Sequence, residues 1–115
     1  MTAQKLLSQT VSALDREALK KEFLNNDEFV IIRNFLSESL LEAFLEDLEC
    51  LRPSIYRNFI PNHKKGGSVS RFEIDRLGRT IPLTYRNPSL FALLNELAGG
   101  DLQECPAEDP HTYAL

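Results

Sequence analysis

The sequence lacks the residues and spacings on which most small metal-binding and redox domains depend. Its 115 residues include two cysteines and two histidines, and Cys50 and Cys105 stand apart rather than in a CxxC pair. A structural zinc site needs four such ligands and a catalytic one at least three, so zinc and dithiol chemistry are disfavoured. Isolated cysteines are typical of proteins from a reducing compartment.

Motifs for nucleophilic, phosphate and membrane chemistry are missing as well. The chain contains neither the GxSxG nucleophile elbow nor the GxxxxGK[ST] phosphate loop. No apolar run approaches the roughly 20 residues that a membrane-spanning helix needs, and the N-terminal stretch lacks the apolar core of a secretory signal. We therefore expect a cytoplasmic protein that does not bind membranes.

The middle of the chain is basic although the whole is acidic. The net charge is −4 and the isoelectric point is about 5.2, yet residues 52–86 hold eight basic residues against two acids. Such a segment can attract anions, and its interleaved aromatic residues would suit single-stranded nucleic acid. The acidic whole and the absence of RRM, KH or helix-turn-helix signatures argue against nucleic acid, and solvated loop charge is the simpler interpretation.

Three amphipathic helices are predicted from their capping residues and from apolar residues that recur every three or four positions. The helices run from Asp15 to about Leu24, over residues 38–50 after Ser37, and onward from Asn87. Pro88 suits the first position of the third helix, where its missing amide hydrogen has no partner to lose, and Gly99 suits the left-handed end.

Extended segments are predicted between and after these helices. Phe29 to Ile32 is apolar on both faces, which favours an interior strand. Alternation from Phe72 to Asp75 favours a second strand, followed by a turn and an irregular extended piece around Pro82. Residues 111–115 are typical of a further strand. The predicted fold class is therefore α+β, with helices packed on a partial antiparallel or mixed sheet in a single unit, residues 1–115.

Two stretches of the chain resemble the opening of the non-haem iron(II)/2-oxoglutarate-dependent oxygenases. One is NNDEFVIIRNFLSESLLEAFLEDLE, residues 25–49, and the other is TIPLTYRNPSLFALLNELAGG, residues 80–100. The resemblance covers roughly residues 15–115 and rests on hydrophobic patterns. It implies that the chain is the N-terminal portion of a double-stranded β-helix, or jelly-roll, oxygenase, with residues 111–115 as its first core strand.

The same resemblance implies Fe(II) and 2-oxoglutarate as cofactors of the full-length parent, and a small molecule as its substrate. The family holds iron with an HxD or HxE pair and a distant second histidine. Here two lysines follow His63, while a threonine and a tyrosine follow His111, so neither histidine matches. No iron or 2-oxoglutarate ligand is assigned, and we expect this chain alone to bind neither cofactor and to be inactive.

Arg71 and Arg79 are the candidate substrate-binding residues. Both fall in the expected hairpin and would donate to an anionic group, although exposed charge is the simpler account of each. His63 lies at the expected exposed tip of a loop over residues 51–69. An N-terminal portion of a jelly roll would leave sheet edges and apolar faces uncovered, so self-association through those edges is also expected.

The alternative is an intact, non-enzymatic α+β module that binds a partner. Its sheet would consist of residues 29–34, 72–75 and 111–115, with three helices over one face. Three strands with a helical layer can be stable alone. The two interpretations differ in what covers the apolar surfaces, which is either the chain itself or the rest of a larger enzyme.

Overall fold

The backbone is mainly helical. The computed structural model describes residues 2–57 and 66–115. Six α-helices occur in these ranges: α1 (Ala3–Ser12), α2 (Arg16–Asn25), α3 (Glu38–Leu51), α4 (Arg71–Leu77), α5 (Thr80–Tyr85) and α6 (Pro88–Ala98). A 3-10 turn (Arg52–Ser54) follows α3, and the two-residue strands β1 (Tyr56–Arg57) and β2 (Gly67–Ser68) pair antiparallel. None of the helices in these ranges has the length and apolar character to cross a bilayer.

The three predicted helices are confirmed, and their capping residues act as expected. Asp15, Ser37 and Asn87 each accept a main-chain amide three residues further on, at 3.1, 3.2 and 3.0 Å. Pro88 begins α6, and Gly99 ends it in the left-handed region with a φ of 69°. Local side-chain chemistry therefore sets the boundaries of α2, α3 and α6.

The predicted fold class, helices packed on a partial sheet, is wrong. The strands in the described ranges are β1 and β2, which form one two-stranded pair. Residues 29–32 are not a strand, and Phe29 and Ile31 are 62% and 57% exposed rather than covered. Residues 111–115 form a turn and an irregular end. Strand propensity is a preference that needs a neighbouring strand to supply the ladder. Residues 29–32 have no such neighbour in the described ranges, and residues 111–115 have a single pair, Leu115 with Val69.

Residues 71–77, predicted as a strand and a turn, form helix α4. Ser70 caps the helix by accepting the amide of Glu73 at 3.3 Å. The S-x-x-E spacing is a helix-start signature, and it outweighs the two-residue alternation of Phe72 and Ile74. Two ion pairs at helical spacing add support along the same helix.

Helix α5 replaces the predicted extended piece around Pro82. Pro82 lies in the first turn, where no amide is needed within the helix. The cap comes from Asp47 of α3, which is 5% exposed. Both its oxygens accept the amide of Arg79 at 3.0 Å, and Oδ2 accepts that of Ile81 at 2.7 Å. A cap supplied by a distant helix leaves no local pattern in the sequence.

No helix is predicted over Ala3–Ser12, where α1 lies. Its Leu7 and Val11 are fully buried, and the helix contacts α3, α5 and α6. The main core cluster consists of Leu7, Val11, Leu40, Leu93 and Leu97, and a smaller cluster consists of Leu51, Val69 and Ile74. The apolar spacing of α1 is helical, and the missed helix supplies two of the five residues of the main cluster.

We predict that Asp47→Ala lowers the free energy of unfolding by about 2–3 kcal/mol, because two main-chain amides would lose a charged acceptor. Glu46→Ala, at the neighbouring exposed side chain of α3, is the matched control and should change it by under about 0.5 kcal/mol. Urea unfolding followed by circular dichroism measures both. Equal effects of the two substitutions would show that Asp47 does not anchor α5.

Candidate functional site

The two arginines predicted to bind substrate lie in different settings. Arg71, in the first turn of α4, is 1% exposed, whereas Arg79, between α4 and α5, is exposed. The Arg79 side chain makes no ion pair with the described residues. The two guanidinium groups share no hydrogen-bond partner in these ranges, so they are not brought into one site. Their contact with substrate stays a prediction.

Arg71 binds the segment that follows α6. Its Nη1 donates to the carbonyls of Pro106 and Asp109, both at 2.8 Å, and to the hydroxyl of Thr112 at 2.9 Å. Its Nε donates to a carboxylate oxygen of Asp75 at 3.1 Å. A guanidinium presents its donors in a rigid fork, so these four acceptors are held in one geometry. An anionic substrate would have to compete with all of them.

The strap, which we define as residues 101–115, makes a second set of contacts through aromatic rings. The hydroxyl of Tyr113 donates to Asp75, and its ring lies 5.8 Å from the Arg71 guanidinium. The same ring packs edge-on against Tyr85, with 5.4 Å between centroids. The Tyr85 hydroxyl accepts the amide of Cys105 at 2.9 Å. The strap is therefore attached at both of its ends.

The Asp75 carboxyl is the electrostatic centre of this network. Burial would raise its pKa, but hydrogen bonds from Tyr113 and Arg71 outweigh burial, so the pKa of Asp75 lies below its ordinary value of 3.8. Burial and the bond to this carboxylate raise the pKa of Tyr113 above its ordinary 10.0. The network thus favours an ionised Asp75 and a neutral Tyr113.

The described side chains do not fit an iron site. No group of three or more histidine, cysteine or acidic side chains in residues 2–57 and 66–115 is placed to hold a metal ion. His111 is exposed, and its main-chain amide donates to Asp109 at 2.8 Å. The other histidine, His63, lies outside the described residues, as do Lys64 and Lys65 beside it. A facial triad of two histidines and a carboxylate is not present in these ranges.

The arginines of the basic segment mostly face acids. Arg52, Arg71, Arg76 and Arg86 pair with Glu49, Asp75, Glu73 and Glu104 at 2.7, 3.1, 2.6 and 2.9 Å. Three of these pairs lie on partly or fully exposed side chains, where such contacts contribute little stability. Glu73 and Asp75 are the two acids of the segment itself, so Glu49 and Glu104 are the acids that these pairs add from outside it, and they offset only part of its positive excess.

Residues 29–32, which we call the apolar ribbon, bury two of their four side chains partly and expose the other two. Val30 and Ile32 pack against the main core cluster, while the other two side chains are more than half exposed. The main chain of residues 30–32 makes no hydrogen bond with the rest of the described chain. Left-handed, non-glycine residues bracket it at Asp27, Glu28 and Asn34. The ribbon is thus held in place while its main-chain groups stay available.

The strap also completes an apolar cleft. Val69 donates to the Leu115 carbonyl at 2.7 Å and accepts the Leu115 amide at 3.3 Å, which is an antiparallel pairing pattern. The cleft beside this pair has a volume of about 230 Å³ and is lined by Leu48, Leu51, Arg52, Ile55, Gly67, Val69 and Leu115. Leu115, the last residue of the strap, therefore forms part of the wall of this cleft.

Asp75 and Tyr113 are not among the residues that the sequence singles out. Asp75 stands four residues after Arg71, the spacing of a helical ion pair, so it would follow directly once α4 is recognised. Tyr113 reaches Asp75 across 38 positions, and no local signal marks such a contact. Comparisons with protein-family models, with curated proteins and with solved structures found no match to this chain.

We predict that Arg71→Lys loosens the strap, because an ammonium group cannot reproduce the fork that reaches Asp75 and three strap oxygens. The free energy of unfolding should fall by about 2–4 kcal/mol, and a protease should cut residues 101–112 first. Arg76→Lys, on the exposed side of the same helix, is the matched control. Limited proteolysis with mass spectrometry measures the cuts, and a strap equally resistant in both variants would contradict the assignment.

Acid should weaken the fold through Asp75. Because its pKa is lowered in the folded state, its contribution is complete above the unfolded value of 3.8 and is lost as the pH falls through the lower folded value. The stability difference between the wild type and Asp75→Asn should be constant near neutral pH and shrink below about pH 4. Tyr113→Phe should move that loss to higher pH. Urea unfolding at a series of pH values measures the stability difference between the wild type and Asp75→Asn. A difference that does not change with pH would be inconsistent with an Asp75 that stabilises the fold in its ionised form.

Proposed function

We propose that this chain is the N-terminal helical portion of an iron(II)/2-oxoglutarate-dependent oxygenase that oxidises a small molecule in the cytoplasm. The resemblance of residues 25–49 and 80–100 to that family suggests the assignment. The half-open apolar ribbon is the observation that carries it. In this proposal the ribbon packs against the catalytic domain, whose main-chain groups bond to those of residues 30–32.

The physical argument rests on what the ribbon exposes. Full burial of a large apolar side chain such as that of Phe29 or Ile31 stabilises a structure by about 1.5–3 kcal/mol relative to leaving the side chain exposed. Main-chain groups that are buried without partners are destabilising, so whatever covers the ribbon must also supply hydrogen bonds. Because Val30 and Ile32 already anchor the segment, covering it would require little further ordering.

The cofactors belong to the proposed parent protein rather than to the described residues. Fe(II) with 2-oxoglutarate supplies oxidative chemistry when bound, and its ligands would lie outside this chain. The role proposed for this chain is to support the catalytic domain and to form part of the substrate rim. Arg79, which is exposed, and Arg71 remain the residues to test for contact with an anionic substrate group.

The alternative, a non-enzymatic module that binds a partner, is favoured by one observation. Helix α3 exposes Leu41, Leu45 and Leu48, and a run of exposed leucines on a well-anchored helix is typical of an interaction surface. The sheet-based architecture first considered for such a module is wrong, but a helical module would present the same surface.

Titration of Fe(II) and 2-oxoglutarate against the 115-residue chain, beside a version extended by the downstream coding sequence, tests the proposed oxygenase. We expect the extended version to bind both and the shorter chain to bind neither, as measured by anaerobic calorimetry. A stop codon directly after Leu115, or an extended protein that binds neither ligand, would remove the support for the oxygenase and favour the module.

The role of the ribbon can be tested separately in the extended protein. Ile31→Asp should lower its melting temperature by several degrees, because a carboxylate would be buried at the proposed contact. The same substitution should change the 115-residue chain little, since Ile31 is exposed there. Leu94→Asp, at an exposed leucine of α6, is the matched control. Equal shifts for both substitutions in both proteins would place the contact elsewhere.

A further inference from the structure

We propose that the outer face of α3 binds a basic amphipathic helix of a partner protein. Leu41, Leu45 and Leu48 follow one another at spacings of four and three residues and are 46%, 48% and 40% exposed. That spacing is the one found in the seam of a coiled coil. This leucine seam is the surface that favours the alternative module, and the inference names the chemistry of its partner. The seam shares no residue with the apolar ribbon, so the inference does not rest on the proposed oxygenase.

The seam is presented on a helix that is already fixed in place. On the adjoining face of α3, about a quarter turn away, Leu40 and Leu51 are buried in the two core clusters. Asp47 binds the first amides of α5. A partner would therefore meet a preformed apolar stripe, and binding would require little ordering of this chain.

A row of acids borders the seam on one side. Glu42, Glu46 and Glu49 each follow one of the three leucines, and α3 contains no lysine or arginine. At about 100° per residue these glutamates lie together beside the stripe. Glu49 pairs with Arg52 at 2.7 Å, but both side chains are about two-thirds exposed, so the pair screens the row weakly.

The negative charge of these glutamates determines which kind of partner can bind the leucine seam. A second copy of the chain would bring the same glutamates face to face, and like charges across an interface are unfavourable. An anionic membrane surface would repel the row for the same reason. A helix with a leucine-type stripe and lysine or arginine along one flank satisfies both the apolar seam and the acids.

Two fluorescein-labelled synthetic helices of three heptads provide the probe. Both carry leucine at the a and d positions, one carries lysine at the e and g positions, and the other carries glutamate there. By fluorescence anisotropy we expect the lysine peptide to bind at least about tenfold more tightly than the glutamate peptide, with an advantage that falls as salt is raised. Equal affinities for the two peptides would overturn the inference.

Substitutions locate the binding surface. Leu45→Asn should weaken binding of the lysine peptide by about tenfold or more, whereas Leu94→Asn on α6 should leave it unchanged. The double variant Glu42→Lys with Glu46→Lys should reverse the preference between the two peptides. Circular dichroism melting curves establish that each variant is folded.

Two results would contradict the seam as a site for a basic helix. The first is unchanged binding in folded Leu45→Asn. The second is a wild-type chain that dimerises in sedimentation velocity while Leu45→Asn stays monomeric, since that outcome would make a second copy the occupant.

Discussion

The buried guanidinium of Arg71 is the interaction on which the second half of the chain depends. A buried charge without partners is strongly destabilising, and the fold supplies acceptors for Nε and Nη1 of this guanidinium. One comes from Asp75 on the same helix, and three come from Pro106, Asp109 and Thr112 on the strap. The need to satisfy one side chain therefore determines part of the path of the strap, beside the contacts of Cys105, Tyr113 and Leu115.

The small size of the apolar clusters explains why polar anchors matter here. The second cluster has three buried members, Leu51, Val69 and Ile74, and such a group supplies modest stabilisation by burial alone. Two buried charged residues, Asp47 and Arg71, connect further elements by hydrogen bonds. Asp47 joins α3 to α5, and Arg71 joins α4 to the strap.

Helices that are capped by residues close in the sequence could be predicted, and contacts between residues far apart in the sequence could not. Ser37 with the leucines after it, and Asn87 with Pro88, determine helices by themselves, and those helices are confirmed. Residues 29–32 and 111–115 have strand-like composition, but a strand needs a partner that composition does not reveal, and the sheet prediction was wrong. The Asp47 cap joins residues 32 positions apart, which no periodicity detects. For Ser70 and Glu73 the helix signature was present, and the two-residue alternation obscured it.

The strap held by Arg71 and the open apolar ribbon differ in their main-chain hydrogen bonds, which pair Val69 with Leu115 and are absent at residues 30–32 within the described ranges. Amide hydrogen exchange on the 115-residue chain, followed by NMR, tests them together. The amides of Val69 and Leu115 should be protected to a degree comparable with that of Ile74 in α4, while those of residues 30–32 should exchange almost freely. Protection of residues 30–32, or free exchange at Val69 and Leu115, would contradict the account.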